Sequence, residues 1–324
     1  GLPMHRVKVV PMPVGGGFGG KFVLIEPLVA AAAVAAGRPV LLQYTRMEDL
    51  LAGNPAVDCR IQLKVGAKKD GRLTALQSQV VFDAGAGGMA PMEISAILMG
   101  GYYRIPNLDI RGYEVITNRV GGGAYRAPGA QQGTFAIESV MDELARQLHL
   151  DPLEFRIQNC VVEGDPRPNG NPWPRIGLKQ TLEALRDHPL WKNRKQSKAA
   201  GRGVGLACGG WPGGIEPATA VCRLDHDGTL TIVLGSVDLT GTNTAFSQIA
   251  AEVFGMAADD IRVTTADTDA APFAGGTGGS KITYTVGPAV KRAAEDARQQ
   301  ILAIAAQHLE AAVDDLEIVD GQVR

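Results

Sequence analysis

Five glycines, one phenylalanine and one lysine fill Gly15-Gly-Gly-Phe-Gly-Gly-Lys21. Glycine at this density lets successive backbone N–H groups approach a ligand with no side chain in the way, which suits an anion or a flat polar ring. Three outcomes fit the letters. Gly15 to Lys21 matches the G-x-x-x-x-G-K phosphate loop of nucleotide hydrolases, but Phe22 stands where a Ser or Thr hydroxyl must hold Mg²⁺. Gly15, Gly17 and Gly20 match G-x-G-x-x-G of dinucleotide folds, yet Pro39-Val-Leu-Leu-Gln-Tyr44 has no acid to bind a ribose. The third outcome is a tight turn with no ligand.

The elements that must position this loop are readable on either side of it. Arg6 to Val10 reads as a strand, and Glu26 to Ala36 as a helix stopped by Gly37. From Asp58 the pattern turns to β: Arg60 to Val65 alternates, Asp70-Gly71 makes a hairpin turn and Leu73 to Phe82 returns. Two further Asp-Gly pairs, at Asp227 and Asp320, follow strand-like runs and hint at an internal repeat. Between Gln132 and Leu148 the spacing predicts a helix with Phe135, Val140, Met141, Leu144 and Leu148 on its apolar face and Glu138, Asp142, Glu143 and Arg146 opposite. Asp151-Pro152-Leu153-Glu154 caps the next helix. Cys160 to Arg202, rich in Pro, Gly, Asn and charge, reads as a connection. Beyond it come a hairpin within Ala218 to Val237, a helix ending at Gly255, a strand from Ile261 to Thr265 and a long helix from about Pro288 to Ala312. The last hairpin leaves Leu316 to Val319 with hardly any partner. Both ends look cut from something longer.

The 324 residues suffice for two domains with sizeable cores. Lys+Arg 32 against Asp+Glu 34 gives a net charge of −2, so no global positive field points to nucleic acid or a membrane surface. The longest apolar run, Leu28 to Ala36, is far short of the ~20 residues a bilayer span needs. Cys59, Cys160, Cys208 and Cys222 form no C-x-x-C pair, so no zinc or iron-sulfur ligand set is written here. A reducing, cytoplasmic setting is expected. His5, His149, His188, His226 and His308 stand apart in unlike contexts, and no metal ligand is assigned.

A remaining reading comes from resemblance, which two more segments share. Pro11-Met-Pro-Val-Gly-Gly-Gly-Phe-Gly-Gly-Lys21 resembles the first cofactor loop of the molybdenum-binding large subunit of the xanthine dehydrogenase and aldehyde oxidase family. Gly123-Ala-Tyr-Arg-Ala-Pro-Gly-Ala-Gln-Gln132, with Phe135 to Glu143 and Asp151 to Arg156 behind it, is similar to the family's A-[YF]-R-x-x-G-x-x-Q segment. Gly276-Thr-Gly-Gly-Ser-Lys281, followed by Gly287-Pro-Ala-Val290, resembles the loop along the cofactor's dithiolene side. The resemblance implies a molybdopterin cofactor, in its cytosine dinucleotide form, held by Gly16, Gly17, Phe18, Gly19, Arg126, Gln132, Gly278, Gly279, Ser280 and Lys281. Phe22 and Pro128 would line the substrate. It implies that the three loops converge on one crevice, with the Phe18 amide facing an oxygen on molybdenum and Arg126 near the metal.

The implied fold is α+β and two-lobed, with β-hairpins and βαβ-type units. Residues 1–165 form the first lobe, 166–200 a linker and 201–324 a partial, truncated second lobe. The implied reaction is oxidative hydroxylation of an aldehyde or N-heteroaromatic carbon with water as oxygen source. The family's general-base glutamate, worth about 10² to 10⁴ in rate, is expected outside this chain, so no catalytic residue is assigned. Electrons would leave through 2Fe-2S and FAD on partner chains, and the remaining part of the molybdopterin subunit is a further expected partner.

The chain departs from the family at named places. Purine-oxidising relatives carry a glutamate where Phe22 stands, an arginine between the positions of Arg72 and Arg104 where none occurs, and an aromatic where Pro128 stands. Carbon monoxide relatives carry a copper-binding cysteine where Ala127 stands. Val237-Asp-Leu-Thr-Gly-Thr-Asn243 replaces a family loop reading D-x-G-Q-G and lacks its glutamine. A catalytically silent cofactor-binding scaffold lacking the general-base glutamate is the alternative, which the missing glutamine favours.

Overall fold

The computed structural model describes residues 2–21, 25–199 and 201–324. These fall into two compact units, a central one of residues 18–211 and a composite one of residues 1–17 with 212–324.

The central unit begins with helices α1 (Glu26–Ala36) and α2 (Arg46–Ala52). Gly37 ends α1 at φ 61, as expected of a left-handed stop. A capping box, Thr45 with Glu48, starts α2. Neither helix buries a residue, and the apolar core of the unit begins only at Val57. Val34 on α1 is 76% exposed.

Strands β1 (Cys59–Ala67) and β2 (Leu73–Gly85) form the expected antiparallel hairpin. At its turn Gly71 takes φ 89 and its N–H donates to the Lys68 carbonyl at 2.9 Å. Along β2, Leu76, Ser78, Val80, Phe82 and Ala84 point inward, the period of two that a half-covered strand requires. Helix α3 (Met92–Gly101) leads to β3 (Asn107–Ile116), which lies parallel to β2 and completes the order β1-β2-β3.

Helix α4 (Ala130–Gln147) covers this sheet together with α3, but not with the expected face. Ala130, Gly133, Ile137, Glu138, Met141 and Ala145 are buried, whereas Phe135 is 78% exposed. The cause is close helix packing: a Cβ on Gly133 would lie 2.6 Å from the Ser95 carbonyl oxygen on α3, so only small residues fit the contact.

Glu138, expected on the solvent side, is instead the centre of a buried network. Its Oε2 accepts from Arg156 Nε at 2.8 Å and from the Cys208 amide at 2.9 Å, and its Oε1 accepts from the Tyr103 hydroxyl. Arg156 lies on α5 (Pro152–Asn159), capped by Asp151 as expected, and also donates to Asp142 and to the Pro152 carbonyl. Burial, then the charge of Glu138, push the Tyr103 hydroxyl well above its ordinary range, so it stays a donor.

Residues 166–200, expected as a linker, carry α6 (Leu178–Leu185), α7 (Pro189–Lys192) and α8 (Arg194–Ala199). Leu182 and Trp191 enter the core, Arg186 makes two bonds to Glu154 at 2.7 Å, and Arg194 pairs with Asp151. A few large anchors hold this stretch against the unit despite its loop-like composition.

The composite unit repeats the same plan. Strands β4 (Val221–Leu224) and β5 (Leu230–Leu234) are antiparallel, helix α9 (Thr242–Phe254) leads to β6 (Ile261–Thr265) parallel to β5, and α10 (Ile282–Leu309) follows. Hairpin, helix, parallel strand, long helix: the order and pairing sense match the first sheet, which is the repeat the Asp-Gly pairs hinted at. The third pair, Asp320-Gly321, turns between β7 (Ile318–Val319) and β8 (Gln322–Val323). Ile318 is buried there, so the last hairpin is better anchored than expected. α10 starts six residues before Pro288, which sits within it and removes the bond to the Tyr284 carbonyl.

Residues 7–13 are not the expected strand. Val9 exchanges two bonds with Thr268, Lys8 pairs with Asp267 at 2.6 Å, and Val14 bridges Leu239, but no ladder forms. The α+β, two-lobed expectation is borne out. Among the described residues no helix is long and apolar enough to cross a membrane.

Cys59 is exposed, whereas Cys160 and Cys208 are buried, and burial with the Glu138 charge pushes the Cys208 thiol up to about 11. Ellman's reagent is therefore expected to modify Cys59 in the native protein and Cys160 and Cys208 only in denaturant. Replacing Arg156 by Met strands the Glu138 carboxylate and is expected to cost about 3–5 kcal/mol in urea unfolding. Adding Glu138→Gln should recover part of that loss.

Candidate functional site

Phe18 opens the central unit's share of the glycine loop at φ 52, a conformation that costs a non-glycine residue about 1–3 kcal/mol. Its carbonyl accepts from the Arg126 amide at 2.8 Å, and the Arg126 guanidinium carbon lies 5.7 Å from its ring centre. Arg126 and Ala127 are themselves at φ 20 and 56. Gly19, at φ 91, lies so close to the second loop that a Cβ would stand 2.2 Å from the Ala124 carbonyl oxygen. The first and second glycine segments therefore touch. The second runs through Gly129, at φ 81, into the first turn of α4, where Gln132 Oε1 is buried without a hydrogen-bond partner. Gln132 lines a narrow crevice with Ala56, Val57, Gly123, Tyr125 and Pro128.

In the composite unit, the glycines before Phe18 start from Val14, whose N–H donates to the Asp238 carbonyl and whose carbonyl accepts from Thr240, both at 2.9 Å. Thr240 is left-handed at φ 61, and Asp238 Oδ1 accepts from the Asn243 amide and the Thr242 hydroxyl. Buried Ser236 precedes this loop with an unpartnered hydroxyl, and Val237 N donates to Thr277 Oγ1 at 3.2 Å. The third glycine segment ends with Gly279 at φ 65 and Ser280 at φ 57, directly before α10, whose N-terminal end carries the positive pole of the helix. Ser280 is exposed, while Lys281 is only 3% exposed and its ammonium lies 2.8 Å from Glu216 Oε2. No well-directed hydrogen bond accompanies that pair, so the ammonium retains donor capacity.

The predicted residues thus gather in two groups. Phe18, Gly19, Arg126, Pro128 and Gln132 meet in the central unit; Gly278, Gly279, Ser280 and Lys281 meet in the composite unit, to which Gly16 and Gly17 also belong. Phe22 lies outside the described residues. Glu216, which shapes the third loop, went unrecognised in the sequence, whereas Asp238 lies in the Val237 to Asn243 segment already noted. Glu216 sits at no motif spacing and reaches a loop sixty residues away. The only local hint is the preceding Gly213-Gly214 pair.

Profiles of the family described as "Molybdopterin cofactor-binding domain" match residues 1–160 and 182–324. The probable hypoxanthine oxidase XdhD of Escherichia coli K12 is 34% identical over 100% of this chain and 36% of its own length. The aldehyde oxidoreductase of Megalodesulfovibrio gigas is 34% identical over 91% of this chain and 34% of its own. The solved quinoline 2-oxidoreductase of Pseudomonas putida 86 superposes with a TM-score of 0.86 at 28% identity, covering 99% of this chain and 45% of that one. The chain thus spans between a third and a half of the length of these relatives. With motif order, fold and relatives in agreement, the chain belongs to the molybdopterin-binding large subunits of the xanthine dehydrogenase and aldehyde oxidase family.

Proposed function

We propose that this chain holds a molybdopterin cofactor, in its cytosine dinucleotide form, for the oxidative hydroxylation of an aldehyde or N-heteroaromatic carbon with water as oxygen source. The observation that carries this is the placing of strained backbone. Of the eight described non-glycine residues at positive φ, four, Phe18, Arg126, Ala127 and Ser280, lie in the three glycine segments. Such strain persists where the surroundings over-determine it, and it turns amides in directions that regular structure does not offer.

The residues present fit the group. A pterin with a pyrophosphate is flat and anionic and also carries N–H donors. Main-chain amides at Phe18, Gly19, Gly278 and Gly279, the Arg126 fork and the Lys281 ammonium suit its charge. The orphaned Gln132 Oε1 suits a donor. When bound, the cofactor supplies the two-electron redox centre. The chain's own part is to hold and orient it, with Pro128 facing the substrate. The general base is assigned to the rest of a longer subunit, and the electrons to 2Fe-2S and FAD partner chains in a cytoplasmic complex.

Phe22, Pro128 and Ala127 argue for an aldehyde or N-heteroaromatic substrate over a purine or carbon monoxide. Oxidation of a purine faster than of any aldehyde or quinoline-type compound by the assembled enzyme would overturn that choice. The missing glutamine of Val237 to Asn243 favours the second reading, a silent cofactor-holding scaffold. Molybdenum and pterin in the complex without turnover of any tested substrate would establish it.

Gly19→Ala places a methyl against the Ala124 carbonyl and strains φ 91. The purified complex is expected to lose most of its molybdenum and pterin fluorescence, measured by mass spectrometry of the metal and by fluorescence after oxidation. Arg126→Lys keeps the charge but loses the planar fork, and severalfold lower cofactor content is expected. Wild-type cofactor content in both variants would sink the assignment of these two loops.

A further inference from the structure

Lys281 is the deepest charge in the third glycine segment, and an ammonium removed from water must have a counter-ion. Glu216 supplies it from a segment far away in sequence. One oxygen, Glu216 Oε2, lies 2.8 Å from Lys281 Nζ and accepts from the Gly276 amide at 3.1 Å. It therefore grips both ends of the loop. The fit around that oxygen is tight: a Cβ on Gly275, which sits at φ 63, would stand 2.1 Å from it. The residues just before Glu216 close on the same loop. Gly214 N donates to the Gly279 carbonyl at 3.0 Å, and the Tyr284 hydroxyl donates to the Gly214 carbonyl at 2.7 Å. A Cβ on Gly213 would meet that hydroxyl at 1.9 Å. The Lys281 ammonium beside it holds the Glu216 carboxyl below its usual range, so it stays ionised at neutral pH.

We infer that Glu216 is a positioning residue: its carboxylate clamps Gly276 to Lys281 and thereby holds Gly279 and Ser280 in the left-handed conformation that aims their groups at a ligand. Its effect on the ligand rests on the molybdopterin reading; its effect on the loop does not.

The test is hydrogen exchange of amides 275–281 in the purified chain without cofactor, comparing wild type with Glu216→Gln, Glu216→Asp and Glu216→Ala. Losing the charge-assisted hydrogen bond to the Gly276 amide is expected to give roughly tenfold or faster exchange in Glu216→Gln and Glu216→Ala. Glu216→Asp should restore part of the protection, and the midpoint of thermal unfolding should stay close to wild type in all three. Unchanged exchange in Glu216→Gln overturns the inference, as does an equal collapse of the unfolding midpoint in all three variants. The assembled complex separates the two layers. Faster exchange with reduced pterin content supports both, whereas faster exchange with full pterin content keeps the clamp and removes the molybdopterin role of this loop.

Discussion

A guanidinium with no exposed surface cannot stay folded without an acceptor, and in the central unit that acceptor is Glu138. The Arg156–Glu138 pair is surrounded by Tyr103, Asp142, the Pro152 carbonyl and the Cys208 amide, so it binds four separate stretches of chain at one point. Buried pairs of this kind contribute little net stability over an apolar contact, but breaking one is expensive. Their usefulness lies in direction. With Glu138 fixed, α4 has one rotation about its axis, and its first turn carries Gln132 while the segment before it carries Arg126. The orientation of the second glycine segment is therefore set by a charge pair two turns further along the same helix.

The composite unit solves the same problem differently. Its apolar core, from Leu230 and Ile232 to Phe246, Val286 and Val290, is continuous, and its charge pairing is moved out to the loop edge at Lys281 and Glu216. Both units are built on one plan of hairpin, helix, parallel strand and long helix. In each, a glycine-dense loop precedes the long helix, and that helix buries its far side against the sheet. The loops are consequently held at helix starts, where an anion gains from the helix dipole and from amides that have no partner within the helix.

Much of the secondary structure was legible in the sequence because it rests on short-range rules. The Asp70-Gly71 turn, the Gly37 and Gly255 stops and the Asp151-Pro152 cap each follow from one or two residues whose backbone preferences admit few alternatives. The errors fall where the deciding contact is distant. Phe135 fitted an apolar stripe, yet the close approach of α3 at Ser95 favours glycine and alanine on the inner face. Residues 166–200 looked like a linker because their anchors, Leu182 and Trp191, are sparse. Arg6 to Val10 alternates like a strand but meets Thr268 and Asp267 side chains instead of a neighbouring ladder. Pro288 suggested a helix start, whereas α10 had already begun at Ile282.

The amino-acid order by itself determined the family, the three glycine segments and the residues in them, because close backbone approach to a flat ligand requires glycine at positions that local sequence displays. It also determined that Phe22, Ala127 and Pro128 differ from the purine and carbon monoxide patterns. Only the tertiary structure decided that Phe18 and Arg126 share a hydrogen bond, that Glu138 is interior and that Glu216 serves Lys281. These are pairings of charges and amides across long stretches of chain, and no periodicity or spacing encodes which partner a buried charge will find once the elements pack.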